Sequence, residues 1–362
     1  MRERVSRRAV MALLPPGLAA ALSNTKSVRP LPAVGEFTRF VDPATENFIV
    51  RLTAPTSNSV LPAAPNLFVS SKHRILVCSS DRSGKFMPYQ VDLRTGVVKR
   101  IAETSELDPR SLALVEKKQV VWFRDADALV EAEIQGKKTR TLLTGIEAFS
   151  LEPSGAGLYV LRHGKVEQIK GSESIPIADN ASPPCLAHPR GKGCFFQRKT
   201  GDGASEFWYA PSAESGSQPI LLATGAIHDP FWSNQGDSLL FLRDIPSGNV
   251  LLTEIREVNL DHASETCVSP TSQFASFAPN EDGSVFVGAS RSKAQPNIIL
   301  LLRHVRREMT LCEHRASHPA QVRPAFAPDS RRVYFQSDHQ GKSAIYSVNV
   351  ELLVEPTESF FQ

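Results

Sequence analysis

The chain has no C-x-x-C pair, no long basic tract beyond its first residues, and no apolar run of bilayer length. It is also poor in tyrosine, with 5 against 19 phenylalanines. Each absence narrows the function. The five cysteines, Cys78, Cys185, Cys194, Cys267 and Cys312, are too scattered for a thiolate zinc site. Without a basic stripe there is no electrostatic footprint for phosphate neutralisation, so nucleic acid is not an expected partner. Long uncharged helical stretches are scarce. What is abundant is proline, at 26, in a chain of 362 residues that is 41% hydrophobic and 22% charged. That length fits two or three domains or one large repetitive domain.

The first residues stand apart. Met1 to Ser27 reads "MRERVSRRAVMALLPPGLAAALSNTKS", with four arginines and one glutamate before Ala9, an apolar run to Leu22, and small residues at Ala19-Ala20-Ala21. This is the pattern of a secretory signal, and "SRRAVM" is similar to a twin-arginine signal. The apolar run is about two-thirds of the ~20 residues that a spanning helix needs, and Pro15-Pro16 interrupts it. A disordered start or a membrane anchor is the alternative. The expectation is export to the periplasm or the medium, with residues 1–27 as the signal and 28–362 as one domain with no membrane span. In an exported protein Cys185 and Cys194 could be disulfide-bonded; alternatively they are small buried residues on strands.

One pattern dominates the rest. "LVCSSDRSGKFMPYQVDL" (Leu76 to Leu93) and "VYFQSDHQGKSAIYSVNV" (Val333 to Val350) are the same hairpin, written near both ends. Seven such hairpins begin at Ile75, Val120, Leu158, Cys194, Leu239, Val285 and Val333, at intervals of 45, 38, 36, 45, 46 and 48 residues. Most follow a tight turn: "LEPSGAG", "AHPRGKG", "WSNQGDS", "FAPNEDGS", "FAPDSRR". Pro, Asn, Asp and Gly supply the geometry that joins antiparallel strands. Strand, turn, strand, hairpin, strand and an outer strand at this period make one four-stranded blade. The expected fold is therefore all-β, a seven-bladed β-propeller from about Arg39 to Val350. An open solenoid is the alternative for such a period. The last hairpin leaves few residues for an outer strand, so "NFIVRLTAP" (Asn47 to Pro55) is expected to complete the last blade.

The repeat "FAPDSRRVYFQSD" (Phe326 to Asp338) resembles that of TolB-like propellers. "RFVDPATENFIVRLTAP" (Arg39 to Pro55), "ILVCSSDRSGKFMPYQVDLRTG" and "RPAFAPDSRRVYFQSDHQGKSAIYSV" together resemble oligogalacturonate lyase, a seven-bladed propeller that cleaves short pectin fragments by β-elimination. The resemblance implies an acidic oligosaccharide as partner, a histidine base, a supporting arginine, and manganese held by three histidines and a glutamine.

Residues just ahead of the inner strands converge on the axis of a propeller. They include Pro183-Pro184, His228-Asp229, Ser272-Gln273 and His318 to Arg323. His228 stands where the resembled family has its base, with a loop histidine bonded to Asp229 or backbone as the alternative. The metal positions correspond to Gln273, His318, Gln321 and Arg323, so three histidine ligands have become Gln, Gln and Arg. Glutamine is a poor transition-metal ligand beside imidazole, and a guanidinium cation does not coordinate. Arg323, with His318, is expected instead to bind the substrate, because a guanidinium suits a carboxylate bidentately. Glu206 replaces the supporting arginine, where its charge would repel a sugar acid. His188, His314 and His339 are weaker candidates. A non-catalytic TolB-like propeller that binds a protein or glycan in the cell envelope is the alternative function.

Overall fold

A computed structural model describes residues 35–152, 157–201, 204–248, 250–351 and 353. The proposed export signal, 1–27, and both ends of the expected 28–362 domain lie outside them. The described strands form seven antiparallel sheets, the blades of a propeller. Among the described residues there is no α-helix, and three single 3-10 turns lie at Glu116–Lys118, Ala213–Ser215 and Pro319–Gln321.

The seven hairpins fall where the sequence places them. The second strand of a blade is sandwiched between neighbouring blades, so both its faces are covered. Ile75–Ser80 and Val285–Ser290 are accordingly buried at every position, and they read as continuous apolar or small-residue runs rather than alternating ones. Outer strands such as Thr139–Leu143 are largely exposed. Tight turns close as the polar residues predict, with Gly191, Gly236, Gly283 and Ser330 each donating its N–H to the carbonyl three residues back.

Phenylalanines join blade to blade. Phe207 and Phe241 meet edge-on at 5.5 Å, and Phe231 and Phe277 at 5.2 Å. Each such ring buried contributes ~1.5–3 kcal/mol. Gly288 is needed because a Cβ there would come within 2.3 Å of the Phe274 ring.

Five blades have four strands, but the first and last have five. In the first, the inner strand is broken into Ser59–Val60 and Val69–Ser70, both paired with Ile75–Ser80. Pro62 and Pro65 lie in the gap, where missing N–H donors cannot continue a ladder. In the last, the N-terminal latch is borne out and is larger than expected. Phe48–Arg51 pairs with Ala344–Asn349, Ile49 opposite Val348, and Thr38–Val41 adds a further strand outside it. Cys78, Cys185, Cys194 and Cys312 are buried free thiols and Cys267 is an exposed one. No helix among the described residues is long and apolar enough to cross a membrane.

Candidate functional site

The inner strand of the fifth blade, Ile227–Trp232, carries His228 and Asp229 at its start. The ladder slips there: His228 pairs with Leu242 and the next partners are Phe231 and Leu240. The bulge leaves Asp229 in a left-handed conformation, φ 50°. Two blades on, Arg323 leads into the last inner strand, Ala325–Phe326, with φ 44°. Of the thirteen non-glycine residues described with positive φ, only Asp229 and Arg323 precede a proline. A following proline normally pushes a residue towards extended backbone. A left-handed residue there costs roughly 1–3 kcal/mol, a strain that clusters at functional sites.

These two strained residues are bonded to each other. Arg323 Nη1 donates to Asp229 Oδ1 at 3.4 Å. His228 lies on the same carboxylate, its Nδ1 3.8 Å from Asp229 Oδ2. Its other nitrogen, Nε2, is 3.5 Å from Asp244 Oδ2. Asp244 is fixed in turn by the Thr253 hydroxyl, at 3.0 Å, and by Arg291 Nη2, at 3.2 Å. Burial pulls the His228 imidazole down, but Asp229 and Asp244 outweigh it and hold the group above its ordinary value. Arg110, ahead of the second blade's inner strand, completes the cluster. Its guanidinium is pushed down to about 10, by burial first and then by the Arg323 charge, with Asp229 and Asp108 pulling it back. The cluster thus gathers three guanidinium groups, three carboxylates and one imidazole.

His228 and Arg323 therefore meet, although 94 residues separate Arg323 from Asp229 in sequence. Gln273, His318 and Gln321 are exposed. The Pro319–Gln321 turn packs beside the Phe274–Pro279 strand. One imidazole and two amides, followed by a cation already paired with Asp229, are a poor donor set for manganese. No group of three or more His, Cys, Asp or Glu among the described residues could hold a metal ion. The residues do not fit the ion of the resembled family.

The weaker histidines are structural. His188 is buried and its ring bonds the Gly236 carbonyl at 2.8 Å, so the turns of two blades lock together; a Cβ on Gly236 would strike that ring at 2.4 Å. His314 is buried against the Ser290 carbonyl at 3.1 Å. His339 is exposed at a hairpin tip and leans on the Tyr346 ring. Glu206 accepts from the Trp208 indole at 2.9 Å, and Arg198 stacks on that indole at 4.1 Å. The glutamate is thus held within its own blade.

Sequence reasoning missed Arg110, Asp244 and Arg291. A signal for Asp244 existed: the second strand of four blades runs into an aspartate, in "CSSD", "WFRD", "FLRD" and "FQSD".

No family model matches the chain, and no curated protein matches it. Solved structures do. An oligogalacturonate lyase in complex with manganese superposes at TM-score 0.75 and 16% identity, over 88% of this chain and 98% of that one. The oligogalacturonate lyase of Vibrio parahaemolyticus gives 0.72 and 16%, over 89% and 98%. The chain has a seven-bladed propeller fold similar to that of these oligogalacturonate lyases. A chain of the hydrazine synthase of Kuenenia stuttgartiensis also superposes, at 0.59 and 15% identity, over 79% and 95%. The likeness therefore fixes the fold, and the chemistry must be argued from the residues.

Proposed function

We propose that the protein is an oligogalacturonate lyase-like enzyme that cleaves uronic-acid oligosaccharides, of the kind derived from pectin, by β-elimination. The observation that carries this reading is the meeting of His228 and Arg323 over one carboxylate, Asp229. β-Elimination needs a base for the proton beside the sugar carboxylate, and a cation for the charge that develops there. Arg323 would grip the carboxylate through its two parallel N–H groups. His228 would take the adjacent proton while Asp244 holds its far nitrogen. The electron pair of the broken C–H bond forms the new double bond, and the glycosidic oxygen leaves and takes a proton from water, to which His228 then returns the one it removed. No step is routed through a metal.

The leader-like residues 1–27 support a place of action in the periplasm or the medium. A second reading, a non-catalytic propeller that binds a glycan or protein in the envelope, is favoured by Glu206 in place of the supporting arginine and by the poor metal donor set.

Incubation with trigalacturonate, followed by ultraviolet absorbance and product mass, separates the two. Unsaturated product formed by the wild type and not by His228→Ala supports the lyase. Binding of trigalacturonate without product supports the second reading.

A further inference from the structure

Arg323 and Asp229 form an ion pair between the last and fifth blades, and both are held in left-handed backbone immediately before proline. Nothing in the fold requires that contact. The blades are joined by apolar packing, and other cross-blade side-chain ion pairs, such as Arg303 to Glu257 at 2.7 Å and Arg291 to Asp244 at 3.2 Å, do not join two residues held in left-handed backbone before proline. The pair is also incomplete. It is a single contact at 3.4 Å, whereas a guanidinium and a carboxylate can form two parallel bonds. Both side chains keep some exposure, 37% for Arg323 and 18% for Asp229. Around them Arg110, Arg291 and Arg323 share Asp229, Asp244 and Asp108, and Asp108 is itself drawn off by a salt bridge to Arg124 at 2.9 Å.

From this we infer that Asp229 is an internal stand-in for a ligand carboxylate: it occupies Arg323 in the free protein, and an incoming carboxylate displaces it and is held between Arg323 and Arg110. The ligand class is a carboxylate-bearing sugar, an inference that rests on the lyase reading for the sugar and on the ion pair for the carboxylate. Asp229 thereby sets the affinity for acids. A neutral or esterified sugar has no charge with which to take the guanidinium, so it leaves the Arg323–Asp229 pair in place and gains nothing when Asp229 is removed. Once displaced, Asp229 frees His228 Nδ1 to act as the base, while Asp244 keeps hold of Nε2.

The test uses Asp229→Asn, because asparagine tolerates the left-handed backbone as aspartate does. Removing the competitor raises the fraction of binding-competent sites, and apparent affinity rises in proportion. Titration calorimetry with galacturonate, its methyl ester and trigalacturonate is run on the wild type, Asp229→Asn and Arg110→Ala, each first checked for a wild-type melting temperature. The expected result is a gain of about tenfold for both acids in Asp229→Asn and no gain for the ester. A loss of about tenfold for the acids is expected in Arg110→Ala. If Asp229→Asn misfolds, Asp229→Ser is substituted with the same expectation. Unchanged or weakened acid binding, an equal gain for the ester, or no binding of either acid to any variant overturns the inference. Absence of unsaturated product while this binding pattern holds sinks only the lyase reading.

Discussion

Four blades run their second strand into an aspartate, and they do not use it alike. Asp81 accepts from the backbone and side-chain amides of Asn58, both at 2.8 Å. Asp125 accepts from the Ser105 and Glu106 amides at 2.9 and 2.6 Å, and Asp338 from the Ser317 amide at 2.8 Å and from its hydroxyl. In each case the carboxylate ties down the segment that leads into the inner strand. Burial pushes the Asp338 carboxyl up, and the Ser317 bonds outweigh it and hold it below the usual range. Asp244 departs from the pattern. Its strand continues to Ser247, so it stays in the ladder opposite Thr253 instead of turning back as a cap. Its carboxylate then faces His228 and Arg291. A hairpin extended past one repeated residue has moved that residue from holding the scaffold to holding the candidate base.

That contrast is open to mutation. The largest expected effect is at the histidine that Asp244 serves: His228→Ala should lose about 10²–10⁴ in elimination rate, the usual worth of a general base. Wild-type turnover in that variant removes His228 from the mechanism. Asp244→Asn should lose about tenfold in rate at the alkaline plateau with little change in melting temperature, as a positioning residue does. It should also move the pH profile. A base works in its neutral form, so the wild-type rate climbs with pH through the raised His228 value. With one carboxylate gone that value falls, and the climb begins at lower pH. An unmoved profile would show that Asp244 is merely structural.

The capping aspartates should behave in the opposite sense. Asp125→Ala is expected to cost about 1–2 kcal/mol of stability, measured by denaturant unfolding, and to leave galacturonate binding unchanged. Asp338 should contribute stability above its unfolded-state value and lose it as pH falls through its lower folded-state value. The smallest expected effect is that of a chelator. EDTA should leave both binding and turnover as they are, since Gln273, His318 and Gln321 fit no manganese ion.

The fold was legible because a blade repeats the same demands. A doubly covered second strand must read as a buried run, and tight turns must read as Pro, Asn, Asp and Gly. The broken inner strand of the first blade was not legible, because only two strand residues survive on either side of its prolines. His228 and Arg323 were legible from their places ahead of inner strands. Arg110 was not, since no turn motif introduces the second blade. Asp244 lies inside an extended strand and Arg291 just past the end of one, and their part depends on how far a hairpin extends and which blade lies next to it. Such facts belong to three-dimensional packing rather than to period.

The two ends of the axis differ as sharply as the aspartates do. The inner strands start among Arg110, Asp229, His228 and Arg323. They end around a cavity of about 580 Å³ that Phe68, Leu114 and Phe326 line together with Glu116, Lys117 and Glu281. A crystal structure of His228→Ala with trigalacturonate distinguishes these ends directly. The expected density places a sugar carboxylate on Arg323, with Asp229 turned away and no metal between them. Sugar in the opposite cavity, or a carboxylate bound through a metal at Gln273, His318 and Gln321, would contradict the guanidinium-based site.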